Sequence, residues 1–172
     1  LRTTLERLYR QGIPLHTARS GLQIELSPQA NIRVLHAYDG LNTPAGPTDI
    51  NDLSVIMRLT HGPTSVMFTG DLNHLIGTYL GTLGAEMKAT LLKVPHHAAE
   101  STAPNTFYEA VSPQEAMVPA PAALWCNLRS LRTRLWMNER GVPVHVNGFH
   151  GHISVLMRAS GYQVRRQISV AS

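Results

Sequence analysis

The sequence is poor in cysteine, in charge and in long apolar runs, and each shortage removes a class of protein. Cys126 is the single cysteine among 172 residues, so no internal disulfide can form and no second thiol is at hand for a metal-binding pair; it reads as a packing residue. No apolar run approaches the ~20 residues needed to span a bilayer, and the start carries no hydrophobic signal region. Asp, Glu, Lys and Arg make up only 15% of the chain against 43% hydrophobic residues, a globular rather than a disordered composition. The net charge of +4, from 15 Lys and Arg against 11 Asp and Glu, is compatible with an anionic partner such as DNA without demanding one. An initiator Met is missing too, and the abrupt opening LRTTLERLYRQG raises the expectation of a piece of a longer polypeptide. Residues 1–172 are expected to form one domain, without an internal repeat or an interdomain linker.

What is present is an ordered series of short periodic segments. Thr3 and Glu6 have capping-box spacing and Gly12 can close a helix over 4–11. Strands are expected near 13–17, 21–26 and 31–36, as a meander, followed by a Pro- and Gly-rich loop at 39–50. LSVIMRL (53–59), with Leu53, Val55, Met57 and Leu59 on one face, and SVMFTG (65–70) read as a hairpin. Leu72, Leu75, Ile76, Tyr79, Leu80 and Leu83 mark an amphipathic helix ended by Gly84. A buried strand at 90–95, a helix at 104–111 and a strand at 115–120 come next. Leu124, Leu128, Leu131 and Leu135 predict a helix that stops at Gly141, and strands near 142–146, 152–158 and 162–168 complete the chain. The fold class is α/β, a sandwich that opens with a meander and continues through crossover units.

One crossover gathers chemistry. A strand at 65–70, a helix at 72–83 and a strand at 90–95 make the two strands parallel, so their carboxyl ends share an edge. Asp71 follows the first strand and His96 and His97 follow the second, at the edge where open α/β sheets bind ligands. A carboxylate and neutral imidazoles there suit Zn²⁺, or Mn²⁺ or Fe. Asp71 can equally cap the helix that starts at Leu72, and the two histidines can serve as hydrogen-bonded structural residues. A catalytic zinc needs three protein ligands and an open position. His150 and His152 form the one His-x-His of the chain at the start of a strand, which places both on one side; a turn with hydrogen-bonded histidines is the competing reading. Arg129, Arg132, Arg134 and Arg140 lie on or beside one helix, where they can meet phosphates or simply face solvent.

Taken in order, NDLSVIMRL, SVMFTGDL and LLKVPHHAAE resemble the second half of the metallo-β-lactamase fold, most closely the hydrolase-like domain of ComEC-type competence proteins of the DNA-uptake channel. NIRVLHA, LRTRLWMNERGVPVHV and GHISV are similar as well, so the resemblance spans nearly the whole chain. It implies a four-layered αββα sandwich lacking part of its N-terminal half, a centre of one or two Zn or Mn ions, Asp71 as the bridging carboxylate and His96 as a late histidine ligand. It also implies hydrolysis of a DNA phosphodiester, a membrane-embedded parent polypeptide and a place on the extracytoplasmic side. The family's His-x-His-x-Asp-His motif is absent, Ala98-Ala99 stand where Gly-Ser is usual, and Trp125-Cys126-Asn127 replace the His-Pro expected before the last long helix. Truncation of an active domain and metal-poor degeneration both account for these departures. A non-catalytic nucleic-acid or protein interaction module and a small-molecule metallohydrolase are the rival functions.

Overall fold

The computed structural model describes residues 2–38, 49–99 and 103–169. Helix α1 (Arg2–Arg10) leads into strands β1 (Gln23–Ser27) and β2 (Ala30–His36), a 3-10 turn at Ile50–Leu53, and strands β3 (Ile56–His61) and β4 (Thr64–Phe68). Helix α2 (His74–Gly81) and strand β5 (Leu91–Lys93) follow, then α3 (Asn105–Val111), β6 (Glu115–Val118), α4 (Ala122–Trp125) and α5 (Leu131–Glu139). Strand β7 (Val144–Val146), the short α6 (Asn147–His150) and a hairpin of β8 (Ile153–Arg158) and β9 (Gly161–Arg166) end the described chain.

The chain is α/β, with a mixed seven-stranded sheet whose strands lie in the order of the sequence, and a separate two-stranded ribbon. β1 to β4 pair antiparallel and β4 to β7 parallel. The change of sense falls where hairpin turns give way to helical crossovers, which parallel neighbours require. Pairing Met67 with Leu92 and Leu92 with Ala116 puts these residues on one face. With Ile56, Val118 and Val146 they meet Ile76 and Leu80 of α2, Phe107, Tyr108 and Val111 of α3, and Trp136 and Met137 of α5 in a single core. On the other face the ribbon is fastened to the sheet by Tyr162, whose hydroxyl donates to Glu115 at 2.8 Å. Burial and that carboxylate push the Tyr162 hydroxyl up to about 12.

Five expectations need correction. Cys126, read as a packing residue, is exposed. No strand forms at 13–17, where Pro14 withholds a donor and every residue is exposed. The hairpin strand starts at Ile56 rather than Leu53, because Leu53 closes the 3-10 turn, and the fully buried residue is Ile56, on the face opposite Met57 and Leu59. The leucine series of 124–135 is not one helix: Asn127 caps a new turn by accepting from the Arg129 amide, and α5 starts only at Leu131. Leu128 is 81% exposed, while Thr133, Trp136 and Met137 are the residues of α5 that are buried. Finally, His150 sits in α6 rather than in a strand. Most of the expected loop, residues 39–48, lies outside the described residues.

Candidate functional site

The crossover expected from the sequence is present: β4 and β5 are parallel neighbours joined through α2, and their carboxyl ends share an edge. Gly70, just past β4, adopts φ +53°, and a Cβ there would lie 2.6 Å from Ser54. Both the conformation and the approach demand glycine. That approach lets Ser54 Oγ accept from the Asp71 amide at 3.0 Å while donating to the Asn51 carbonyl at 2.6 Å, so the 3-10 turn fixes the backbone of Asp71. The cap of α2 is Asn73, not Asp71. The carboxylate of Asp71 is therefore not spent on the helix, and it is about 40% exposed.

At the end of β5 the chain makes an unusual turn. His96 (φ 45°, ψ 43°), His97 (φ 54°, ψ 22°) and Ala98 (φ 62°) are three consecutive non-glycine residues in left-handed conformation. Such residues cost on the order of 1–3 kcal/mol each and collect at functional sites. The turn is tied down by the His96 amide, which donates to the Gly70 carbonyl at 3.3 Å, and by the Ala99 amide, which donates to the His96 carbonyl at 2.8 Å. Its effect is to send the two imidazoles different ways.

His97 faces Asp71, with Nε2 at 3.7 Å from Oδ1, while its Nδ1 lies 2.6 Å from the Pro119 carbonyl. A carbonyl can only accept, so Nδ1 carries a proton, and Nε2 is the ring nitrogen turned to the carboxylate. This is the arrangement in which backbone carbonyls orient metal-binding histidines. His96 is held by a second partner: its Nδ1 is 2.8 Å from Asn73 Oδ1. Asn73 is in turn positioned by Asp52, buried at 2% exposure, whose Oδ1 accepts from the Asn73 amide at 3.2 Å. Lys93 is the remaining member. Its ammonium donates to the Gly70 carbonyl and stands 3.6 Å from Asp71 Oδ1. Burial pushes the Lys93 ammonium below its usual range, and Asp71 offsets part of that.

The structure thus brings Asp71 and His97 together and sends His96 to Asn73. Among the described residues no group of three or more His, Cys, Asp or Glu side chains is able to hold a metal ion. A carboxylate oxygen facing an anchored imidazole fits one flank of a divalent ion, and the described side chains supply that flank only. Asn73, Asp52, Ser54, Lys93 and Pro119 were not singled out from the sequence. The one legible signal is Asn73, two residues past Asp71 at the start of an apolar helix pattern, where Asn is a favoured cap.

Comparison with protein-family models found no match, and comparison with curated proteins found none. Among the described residues no helix is long and apolar enough to cross a membrane.

The other candidates resolve into structural roles. His150 is buried, with Nδ1 3.0 Å from both the amide nitrogen and the carbonyl oxygen of Val146, whereas His152 is exposed. Burial, then Arg166 and His145, lower the affinity of His150 for a proton, although Val146 acts the other way. The unfolded chain then takes up a proton that the folded chain resists, so stability must fall as pH drops through the ordinary histidine range near ~6.5. Melting temperature measured from pH 8 to pH 5 is expected to decline below neutrality, and less steeply in His150→Gln. The arginines are engaged as well. Arg132 donates to Asn105 Oδ1 and the Ala103 carbonyl, each at 2.8 Å; Arg134 donates to the Asn127 carbonyl at 3.1 Å; and Arg140 pairs with Glu109 at 3.1 Å while stacking 4.5 Å over Trp136. These three cations brace α5 against its neighbours.

Proposed function

We propose that the chain is a metal-dependent hydrolase domain of the metallo-β-lactamase type, related to the ComEC-type domain, that cleaves a DNA phosphodiester in the course of DNA uptake. The observation that carries this reading is the left-handed turn at 96–98, which aims His97 Nε2 at the Asp71 carboxylate and leaves its other nitrogen anchored on Pro119. Strain of that kind persists where the surroundings over-determine it for a purpose. The sequence resemblance supplies the four-layer fold, the DNA substrate, the membrane-embedded parent and the extracytoplasmic side.

Asp71 and His97 would hold one flank of a Zn or Mn ion, His96 being turned to Asn73, with the remaining donors coming from outside the described residues. The chemistry such an ion would supply is a lowered pKa for a bound water and polarisation of the scissile phosphate. The chain's own contribution is orientation. Pro119 fixes the proton on His97 Nδ1, Asn73 accepts the proton of His96 Nδ1, and Ser54 sets the Asp71 backbone. A second reading, a degenerate interaction domain without metal, is favoured by the ammonium of Lys93 beside Asp71.

Elemental analysis of the purified chain, and of a version extended upstream, tests the proposal. Stoichiometric Zn or Mn is expected in the extended protein, with loss in Asp71→Ala and in His97→Ala, and the metal-loaded form should nick plasmid DNA. If no form carries metal, the hydrolase reading falls and the interaction domain stands.

A further inference from the structure

The net charge of the chain is confined to its end. Residues 1–139 carry 11 Lys and Arg against 11 Asp and Glu, whereas residues 140–172 carry four arginines and neither Asp nor Glu. Three of the four, Arg158, Arg165 and Arg166, belong to the β8–β9 ribbon. Burial alternates along β8, where Ile153, Val155 and Met157 are half-buried while Leu156 and Arg158 are exposed, as Gln163 and Arg165 are on β9. The pairs Ser154–Arg165, Leu156–Gln163 and Arg158–Gly161 place the exposed residues on one outer face. The inner face is tied to the sheet by Tyr162 on Glu115, and the same carboxylate also meets His145 Nε2 at 2.6 Å, so its charge is engaged on the inner side. Among the described residues no ion pair holds Arg158 or Arg165, and Arg165 donates to its neighbour Gln163 Oε1 at 3.2 Å. The contrast is with Arg132, Arg134 and Arg140, which are spent on α5.

We infer that the outer face of the β8–β9 ribbon is a surface for duplex DNA, on which Arg158 and Arg165 contact backbone phosphates and Leu156 and Gln163 lie between them. The inference deepens the proposed function by placing the DNA, and it rests on that reading only for the choice of partner. A two-stranded ribbon fits the major groove, which is about 12 Å wide. The two arginines stand on different strands and four positions apart along the ribbon, roughly 13 Å at the rise of a β-strand. Each DNA strand offers a phosphate about every 3.4 Å of axis, so both guanidinium groups find one without distortion of either partner. An anionic membrane would call for apolar or aromatic side chains beside the cations, and this face offers Leu156 alone, at 37% exposure. The lack of an aromatic side chain there also argues against stacking of single-stranded bases.

The test is fluorescence anisotropy of a short labelled DNA duplex of random sequence, titrated with the chain in EDTA over a range of salt. Arg158→Gln and Arg165→Gln are made singly and together, and far-UV circular dichroism checks that each folds; either single variant suffices where the other does not. Each lost phosphate contact should flatten the slope of log affinity against log salt by about 0.9, which is about an eightfold loss of affinity at roughly 0.1 M salt relative to 1 M. Arg165→Lys keeps the charge and should keep most of the binding. Lys88→Gln removes the same charge from an exposed position beside the turn at 84–87 and should bind like the parent. Binding that is absent, that survives the double variant, or that falls equally in Lys88→Gln would overturn the inference. Retention on phosphatidylserine vesicles without any affinity for the duplex would overturn it too, in favour of a lipid surface. Because no metal is present, the two readings fail separately: plasmid nicking without ribbon-dependent binding sinks this inference alone, and ribbon-dependent binding by a protein that never takes up metal sinks the hydrolase reading alone.

Discussion

Among the described glycines, Gly148 should tolerate an added methyl group least, and Gly148→Ala should destabilise the chain severely. A Cβ at Gly148 would lie 2.0 Å from the Ala122 nitrogen and 2.6 Å from the Pro121 carbonyl carbon, both backbone atoms. No flexible side chain is there to give way, so α6 or the segment 120–122 must move. The two are in contact because the Gly148 amide donates to the Ala120 carbonyl at 2.9 Å, a bond that the shift would break. Overpacking costs about 1–3 kcal/mol and occasionally more, and a backbone clash of this depth belongs at or above the upper end. Against a total stability on the order of 5–15 kcal/mol, Gly148→Ala should lower the midpoint of urea unfolding sharply. Gly84→Ala is the control. Its φ of +54° is unfavourable for alanine but a Cβ meets nothing within 4 Å, so the expected loss is the ~1–2 kcal/mol of a left-handed alanine. Similar losses in the two variants would mean that the α6 contact relaxes freely.

The consequence reaches the candidate site. Ala120, which holds α6, is the residue after Pro119, whose carbonyl anchors His97 Nδ1. Displacing this segment removes the group that presents Nε2 to Asp71. In Gly148→Ala the proton of the His97 ring should no longer be confined to Nδ1, which nitrogen chemical shifts report directly.

How much of this could be read from the residues depended on whether the deciding interaction was local. The unit from β4 through α2 to β5 was legible because apolar periodicity and turn chemistry name strand, helix and strand, and topology then forces Asp71 and the histidine pair onto one edge. The series Leu124, Leu128, Leu131 and Leu135 misled for the opposite reason. Its spacing is helical, but Asn127 restarts the helix and turns the later leucines outward, and the core instead takes Trp136 and Met137. Asp71 looked like a cap because it follows a strand and precedes an apolar helix pattern. The helix starts three residues later, at His74, and Asn73 takes the cap position. No periodicity could reveal that His96 and His97 part company, since their left-handed backbone is imposed by contacts with Gly70 and Pro119, one 26 residues before His96 and the other 22 residues after His97. Lys93 and Asp52 were invisible for the same reason: each matters only through a partner that folding brings to it.

Asp52 carries the second large expectation. It is buried to 2% exposure in the 3-10 turn before β3, and it accepts from the Asn73 amide 21 residues away. Removing the acceptor of a buried amide costs about 1–3 kcal/mol, so Asp52→Ala should destabilise the chain by that amount, read from chemical denaturation. Asp52→Asn keeps a side-chain oxygen in the same place and should recover much of the loss. Function separates this account from mere packing. Asn73 is held by Asp52 at its backbone and holds His96 at its side chain, so loosening Asn73 should free the His96 ring. Asp52→Ala should therefore shift the His96 nitrogen resonances away from a pure Nδ1-protonated ring, with Asp52→Asn close to the parent. If Asp52→Ala lost stability while the His96 signals stayed put, the route from the 3-10 turn through Asn73 to the imidazole would be broken, and His96 would have to be fixed by its own left-handed turn.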